Sequence, residues 1–217
     1  MADRPLARAF AQIGESIAWS TVSGQADIFI VLDTSATMMD RMVGGSNRVK
    51  ATGESLEFLV QKLDQAEVDY HLRLLGFHDF YDEQALELSR WTPHPDAVRT
   101  RIADFGVMGE EQILDVLMQT LDLFQHRVTA DKHLVLVCDS RAATSWEAEG
   151  AVAELQDRIR RRVLMDGIRA QIVGYDEPFQ RRLATESGGV FVEMPPSPPA
   201  EARAIAPPAG RVRLEPS

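Results

Sequence analysis

Residues 28–37 read IFIVLDTSAT, and this stretch gives the first indication of the fold class. Its first half, Ile28 to Leu32, is a continuous apolar run rich in β-branched side chains. A run without polar alternation predicts a strand that is buried on both faces, as strands of parallel sheets are. The run ends at Asp33, so the polar residues after it are expected in a loop at the carboxyl end of that strand.

Short apolar runs of the same kind recur, and helical stripes separate them. The further runs span residues 72–77, 134–138, 168–173 and 190–192. Stripes with apolar side chains at every third or fourth position span residues 49–63, 113–124 and 152–163, and a shorter helix is expected over 177–187. Buried strands alternating with amphipathic helices predict an α/β fold with a mostly parallel sheet and helices on both faces. Leu86 and Leu88, with Trp91, are expected to form a short edge strand.

The two ends of the chain differ from this middle part. Residues 1–24 carry an amphipathic helical stripe, which we expect to dock on the domain itself. From Pro195 onward the chain holds seven of its 11 prolines, which predicts an extended and flexible tail. The predicted organisation is therefore an N-terminal helix (1–24), one α/β domain (25–194) and a proline-rich tail (195–217).

Composition excludes several classes of function. The chain has 23 basic and 33 acidic residues and a net charge of −10, which argues against nucleic-acid binding. A single cysteine excludes a disulfide framework and a multi-cysteine zinc site. No apolar run approaches the roughly 20 residues that a membrane span needs, and the charged N-terminus is unlike a secretory signal. We therefore expect a cytoplasmic protein.

Oxygen-bearing side chains follow two of the predicted strands. Asp33, Ser35 and Thr37 lie at alternate positions after the first run, and Asp139 follows the run at 134–138. Carboxyl ends of parallel strands meet at one edge of a sheet, so these groups are expected to converge, joined by a glutamate from the loop at 106–111. Carboxylates and hydroxyls are hard ligands, which suit Mg²⁺, Mn²⁺ or Ca²⁺. The alternative is a turn that caps the next helix without a metal.

At these residues the chain resembles the von Willebrand factor A domain family. Residues 26–38 are similar to the family's first strand and its D-x-S-x-S metal loop, with Thr37 in place of the last serine. Residues 109–115, GEEQILD, resemble a second metal loop, whose register with Leu114-Asp115 implies Glu111 rather than Glu110 as the ligand. Residues 135–139 resemble the fourth strand and its final metal-loop aspartate, and the resemblance extends over about residues 26–193.

The resemblance implies both an architecture and a function. The fold would be a three-layer, Rossmann-like α/β domain with one short antiparallel edge strand. A metal-ion-dependent adhesion site would hold Mg²⁺, or Mn²⁺ or Ca²⁺, through Asp33, Ser35, Thr37, Glu111 and Asp139. The role would be binding and not catalysis, with a partner protein supplying a carboxylate to the metal.

Two other classes of function remain open from the residues alone. One is a hydrolase that uses Asp33, because DTSA at 33–36 is similar to the Asp-Thr-Gly-Ala loop of retroviral-type aspartic proteases, although Ser35 replaces the glycine. A phosphoryl-transfer enzyme with a strand-end aspartate belongs to the same class. The other is a scaffold whose metal site is vestigial.

The acidic loop that begins at His78-Asp79 is expected to be solvated.

Overall fold

The computed structural model describes residues 5–34, 38, 48–76, 86–89, 113–124, 131–139, 149–175 and 177–194. Helices and strands alternate along these residues, except that two strands follow each other before the third helix. The helices are Pro5–Ser20 (α1), Arg48–Gln65 (α2), Ile113–Leu123 (α3), Glu149–Met165 (α4) and Pro178–Glu186 (α5). The strands are Gln25–Leu32 (β1), Asp69–Gly76 (β2), Leu86–Ser89 (β3), Asp131–Val137 (β4), Ile168–Gly174 (β5) and Phe191–Glu193 (β6).

The strands form one sheet in the order β3-β2-β1-β4-β5-β6. β1 pairs in parallel with both β2 and β4, and β5 pairs in parallel with β4 and β6. β3 runs antiparallel to β2, with Leu88 opposite Leu72. The chain builds outward from β1 first on one side and then on the other, so the strand order reverses between β1 and β4. Ligands of open α/β sheets bind beyond the carboxyl ends of the strands at such a point.

Burial on both faces explains why β1 is a continuous apolar run. Ile28, Ile30 and Leu32 pack into the core that includes α1 and α2. Phe29 and Val31 pack into the opposite core, which includes α3, α4 and α5, and the ring of Phe29 meets that of Phe124 edge-on at 4.4 Å between centroids. The predicted α/β fold with helices on both faces of a parallel sheet is therefore what the structure contains.

The N-terminal helix is part of the main core. Three side chains of α1 are fully buried in the same cluster as Ile28, Ile30 and Leu32 of β1. They are Phe10, Ile13 and Ile17. Gly14 lets α1 approach α2 closely, because a Cβ at that position would lie 2.8 Å from the Cβ of Lys62. The helical stripe thus docks on the domain itself, as its spacing predicts.

Several predicted features lie outside the described residues. They include the proline-rich segment 195–217, the loop that begins at His78-Asp79, and Trp91. None of the helices that the structure describes is long and apolar enough to cross a membrane.

Candidate functional site

Two aspartates occupy the carboxyl edge of the sheet at the point where the strand order reverses. Asp33 directly follows β1, and its backbone N–H donates to the carbonyl of Val137 at 2.8 Å. Asp139 follows β4 after Cys138, whose backbone N–H donates to the carbonyl of Val173 at 3.0 Å. Both aspartates are buried, with 0% of Asp33 and 7% of Asp139 exposed. The adjacent parallel strands therefore bring these two carboxyl groups to the same end of the domain.

The pKa of the Cys138 thiol reflects the acidic side chains at this edge. Burial raises its pKa well above the ordinary value, and the nearby charges of Asp33, Asp139 and Glu177 raise it further. The side-chain amide of Gln180 donates to the sulfur at 3.2 Å. The thiol is fully buried and stays protonated near neutral pH, which is unsuited to nucleophilic chemistry. Cys138 therefore behaves as the small hydrophobic residue that its strand position predicts.

A buried arginine meets this acidic edge. Arg48 is the first residue of α2, and only 2% of it is exposed. Its Nη1 forms a hydrogen-bonded ion pair with Oδ2 of Asp139, and its Nη2 donates to the hydroxyl of Tyr175 at 3.2 Å. Tyr175 directly follows β5, so one guanidinium joins the start of a helix to the ends of two strands.

The sequence prediction of the site did not include Arg48. One local feature indicated that Arg48 has an acidic partner. A basic residue in the first turn of a helix interacts unfavourably with the helix dipole. An acidic partner would offset this unfavourable interaction. The identity of that partner was not visible, since Asp139 lies 91 positions further along the chain.

Three of the predicted metal ligands lie outside the described residues. They are Ser35, Thr37 and Glu111, and the competing candidate Glu110 is outside them as well. Their place in the site stays a prediction. Among the residues that the structure describes, His, Cys, Asp and Glu side chains form no group of three that could hold a metal ion. A complete coordination shell therefore needs donors from the loops that carry those three residues.

The described part of the edge suits a hard divalent cation. Asp33 and Asp139 contribute buried carboxylates, and oxygen ligands of this type are what Mg²⁺, Mn²⁺ and Ca²⁺ prefer. The hydroxyl oxygen of Thr34, next to Asp33, is buried and makes no hydrogen bond within the described residues. Buried polar atoms normally have a partner, so this hydroxyl suits a site that takes up water or a polar ligand. Arg48 already supplies one positive charge to Asp139, so a cation would share that carboxylate.

Comparisons with known proteins identify the fold. No protein-family model matches the sequence, and no curated protein matches it either. A solved structure described as von Willebrand factor type A from Catenulispora acidiphila aligns with a TM-score of 0.57 and 17% identity, over 79% of this chain and 39% of that one. The PilB minor pilin from Streptococcus sanguinis aligns with a TM-score of 0.53 and 13% identity, over 78% of this chain and 57% of that one.

The chain is an open α/β sheet, and its candidate site lies at the carboxyl edge of that sheet. The fold is that of a von Willebrand factor type A domain, as the sequence resemblance predicts. At identities of 17% and 13% the likeness shows the fold alone. The chain spans 39% of the length of the Catenulispora protein and 57% of the length of PilB.

Proposed function

We propose that this domain is a protein-binding module that docks an acidic residue of a partner protein through a divalent cation. The cation, Mg²⁺ or else Mn²⁺ or Ca²⁺, would be held by Asp33, Ser35, Thr37, Glu111 and Asp139. One observation carries the proposal. Asp33 and Asp139 are both buried at the ends of adjacent parallel strands, where the strand order reverses.

The chain's own residues give this edge its chemistry. Cations and hydrogen-bond donors stabilise buried carboxylates, so an edge that holds both Asp33 and Asp139 suits a divalent cation. The hydroxyls of Ser35 and Thr37 add no charge of their own. Two neutral hydroxyls leave the cation less neutralised than carboxylates in their place would, and the cation would offer an open coordination position to an outside carboxylate.

The net charge of the protein makes the binding of an acidic partner depend strongly on the cation. The protein carries a net charge of −10, so an acidic partner would be repelled by most of its surface. Removing the local positive centre would leave two surfaces of like charge facing each other. We therefore propose that chelation abolishes binding while the fold remains, because the two hydrophobic cores hold the domain together.

Binding, rather than catalysis, is the role we propose for the site. The protease alternative requires an all-β architecture, whereas Asp33 follows a parallel strand of an α/β sheet. The buried and protonated thiol of Cys138 provides no nucleophile. In a phosphoryl-transfer enzyme of the type considered, a second acid would stand two residues after Asp33, and Ser35 occupies that position.

A second candidate is a binding scaffold that works without a metal. The ion pair between Arg48 and Asp139 favours it, because a guanidinium already compensates one of the two buried carboxylates. In that case partner binding would survive chelation. The vestigial site would then have a structural role only.

The deciding experiment is a pull-down from cytoplasmic extract, the compartment that the sequence predicts. Tagged protein is incubated with extract in Mg²⁺, in EDTA, and in EDTA followed by restored Mg²⁺. Under the proposal, bound partners disappear with EDTA and return with Mg²⁺, and Ser35→Ala behaves like EDTA. Asp69→Asn is the control for a general effect of charge, because it removes a carboxylate from the start of β2 at the opposite edge of the sheet. Equal retention in all three buffers would contradict the proposal and favour the scaffold.

A further inference from the structure

Arg48 is the feature that the proposed metal site does not use. Its side chain is 2% exposed, and the carboxylate it contacts on Asp139 is 1% exposed. The guanidinium also lies over the ring of Tyr175, 5.8 Å from its centroid, and donates to the hydroxyl of that residue at 3.2 Å. Contacts on two strand ends hold the arginine at the edge where the divalent cation is proposed to bind.

A buried arginine in this place has an electrostatic consequence. The attraction between two opposite charges is stronger when they are shielded from water, and loss of one partner leaves an uncompensated buried charge. The fold therefore carries a counter-charge for Asp139 that does not depend on metal. A divalent cation that approaches the same carboxylate meets the positive charge of the guanidinium and is repelled by it.

We propose that Arg48 is a resident counter-cation that competes with the divalent ion for Asp139. This positioning residue lowers the metal affinity of the edge and allows the domain to stay folded when no metal is bound. The inference rests on the proposed metal-binding function, and it adds the residue that sets how much free cation the site requires. The domain would then change its binding state with cation concentration without unfolding.

The test uses Arg48→Gln, which removes the charge but keeps an amide donor near Asp139. Calorimetric titration with MgCl₂ alone should show an affinity at least about tenfold higher than that of the wild-type protein, because the repulsion is gone. In EDTA the variant should melt about 5 °C or more below the wild type. Added Mg²⁺ should recover most of this loss, and it should raise the melting temperature of the wild type less.

Two further variants separate this role from a general effect of charge. Arg169→Gln changes the net charge equally at the opposite edge of the sheet, where Arg169 pairs with Asp131 at 3.3 Å. It should bind Mg²⁺ as the wild type does. Arg48→Lys keeps a positive charge but cannot bridge two groups as the planar guanidinium does, so its Mg²⁺ affinity should rise by a smaller factor. If Arg48→Gln fails to fold in both buffers, the Mg²⁺ affinity of Arg48→Lys tests the proposal instead.

The Mg²⁺ titrations distinguish a failure of the competition from a failure of the proposed metal site. If the wild type binds Mg²⁺ and the Arg48 variants bind it equally or more weakly, the competition is refuted while the metal site stands. If neither the wild type nor any Arg48 variant binds Mg²⁺, both proposals fail. If only the Arg48 variants bind Mg²⁺, the competition is supported and the native domain works without a metal.

Discussion

A buried histidine should make the stability of this domain depend on pH in a defined window. His133 lies in β4, and none of it is exposed. Its Nε2 is 3.5 Å from the hydroxyl oxygen of Thr21, and its Nδ1 has no hydrogen-bond partner within the described residues. The pKa of His133 is lowered to about 4, mainly by burial and also by the charge of Arg169, while the charge of Asp131 opposes the shift.

The sign and the size of the effect follow from this pKa. A histidine in the unfolded chain has a pKa of about 6.5, so between pH 6.5 and pH 4 the unfolded chain binds a proton that the folded protein does not bind. Stability is therefore fully present above about pH 6.5 and falls progressively as the pH drops toward 4. The difference between the two pKa values corresponds to about 3 kcal/mol of unfolding free energy.

Urea denaturation between pH 4 and pH 7 measures this loss. The variant His133→Gln keeps a polar side chain and removes the titration, so its stability should fall by about 3 kcal/mol less than that of the wild type over the same range. His71→Gln is the control, because His71 lies on β2, is 21% exposed, and leaves His133 in place. Identical pH dependence in the wild type and His133→Gln would show that His133 does not cause the loss of stability.

Two further predictions concern packing and reactivity. Gly14→Ala should destabilise the domain by about 1–3 kcal/mol in urea denaturation, because its Cβ would lie 2.8 Å from the Cβ of Lys62 and 2.9 Å from the carbonyl oxygen of Leu59. Gly150→Ala, where nothing lies within 4 Å, should cost no stability, and equal losses at the two sites would contradict the close approach of α1 and α2. Cys138 should resist iodoacetamide at pH 8 in the folded protein and react once the chain is unfolded in urea, because its thiol is buried with a raised pKa. Rapid labelling of the folded protein would show that the edge is open to solvent.

The sequence predicted the elements well because their signals are local. The run at 28–32 lies within β1, and the stripe at 49–63 lies within α2. Both patterns arise from which side chains face a core, and this periodicity can be read within a few residues. Pairing Asp33 with Asp139 also needed only the rule that parallel strands end at one edge.

What the sequence did not predict depends on contacts between distant residues. The ion pair between Arg48 and Asp139 joins residues 91 positions apart, and neither residue type is expected to be buried. The full burial of Asp27 and His133 was equally invisible, since polar residues in a strand pattern normally mark its exposed face. The order of the strands in the sheet was not predicted either, because it depends on pairing between segments that are far apart in the chain.

The proposed function requires that a divalent cation binds between the ends of β1 and β4. The most direct test is anomalous X-ray diffraction from crystals of the full chain grown with millimolar Mn²⁺, collected near the manganese absorption edge. We expect one strong anomalous peak at the carboxyl edge of the sheet beside Asp33 and Asp139, and its loss in crystals of Asp33→Asn. A map with no peak at that edge, or with the manganese bound elsewhere on the domain, would contradict the proposed metal site.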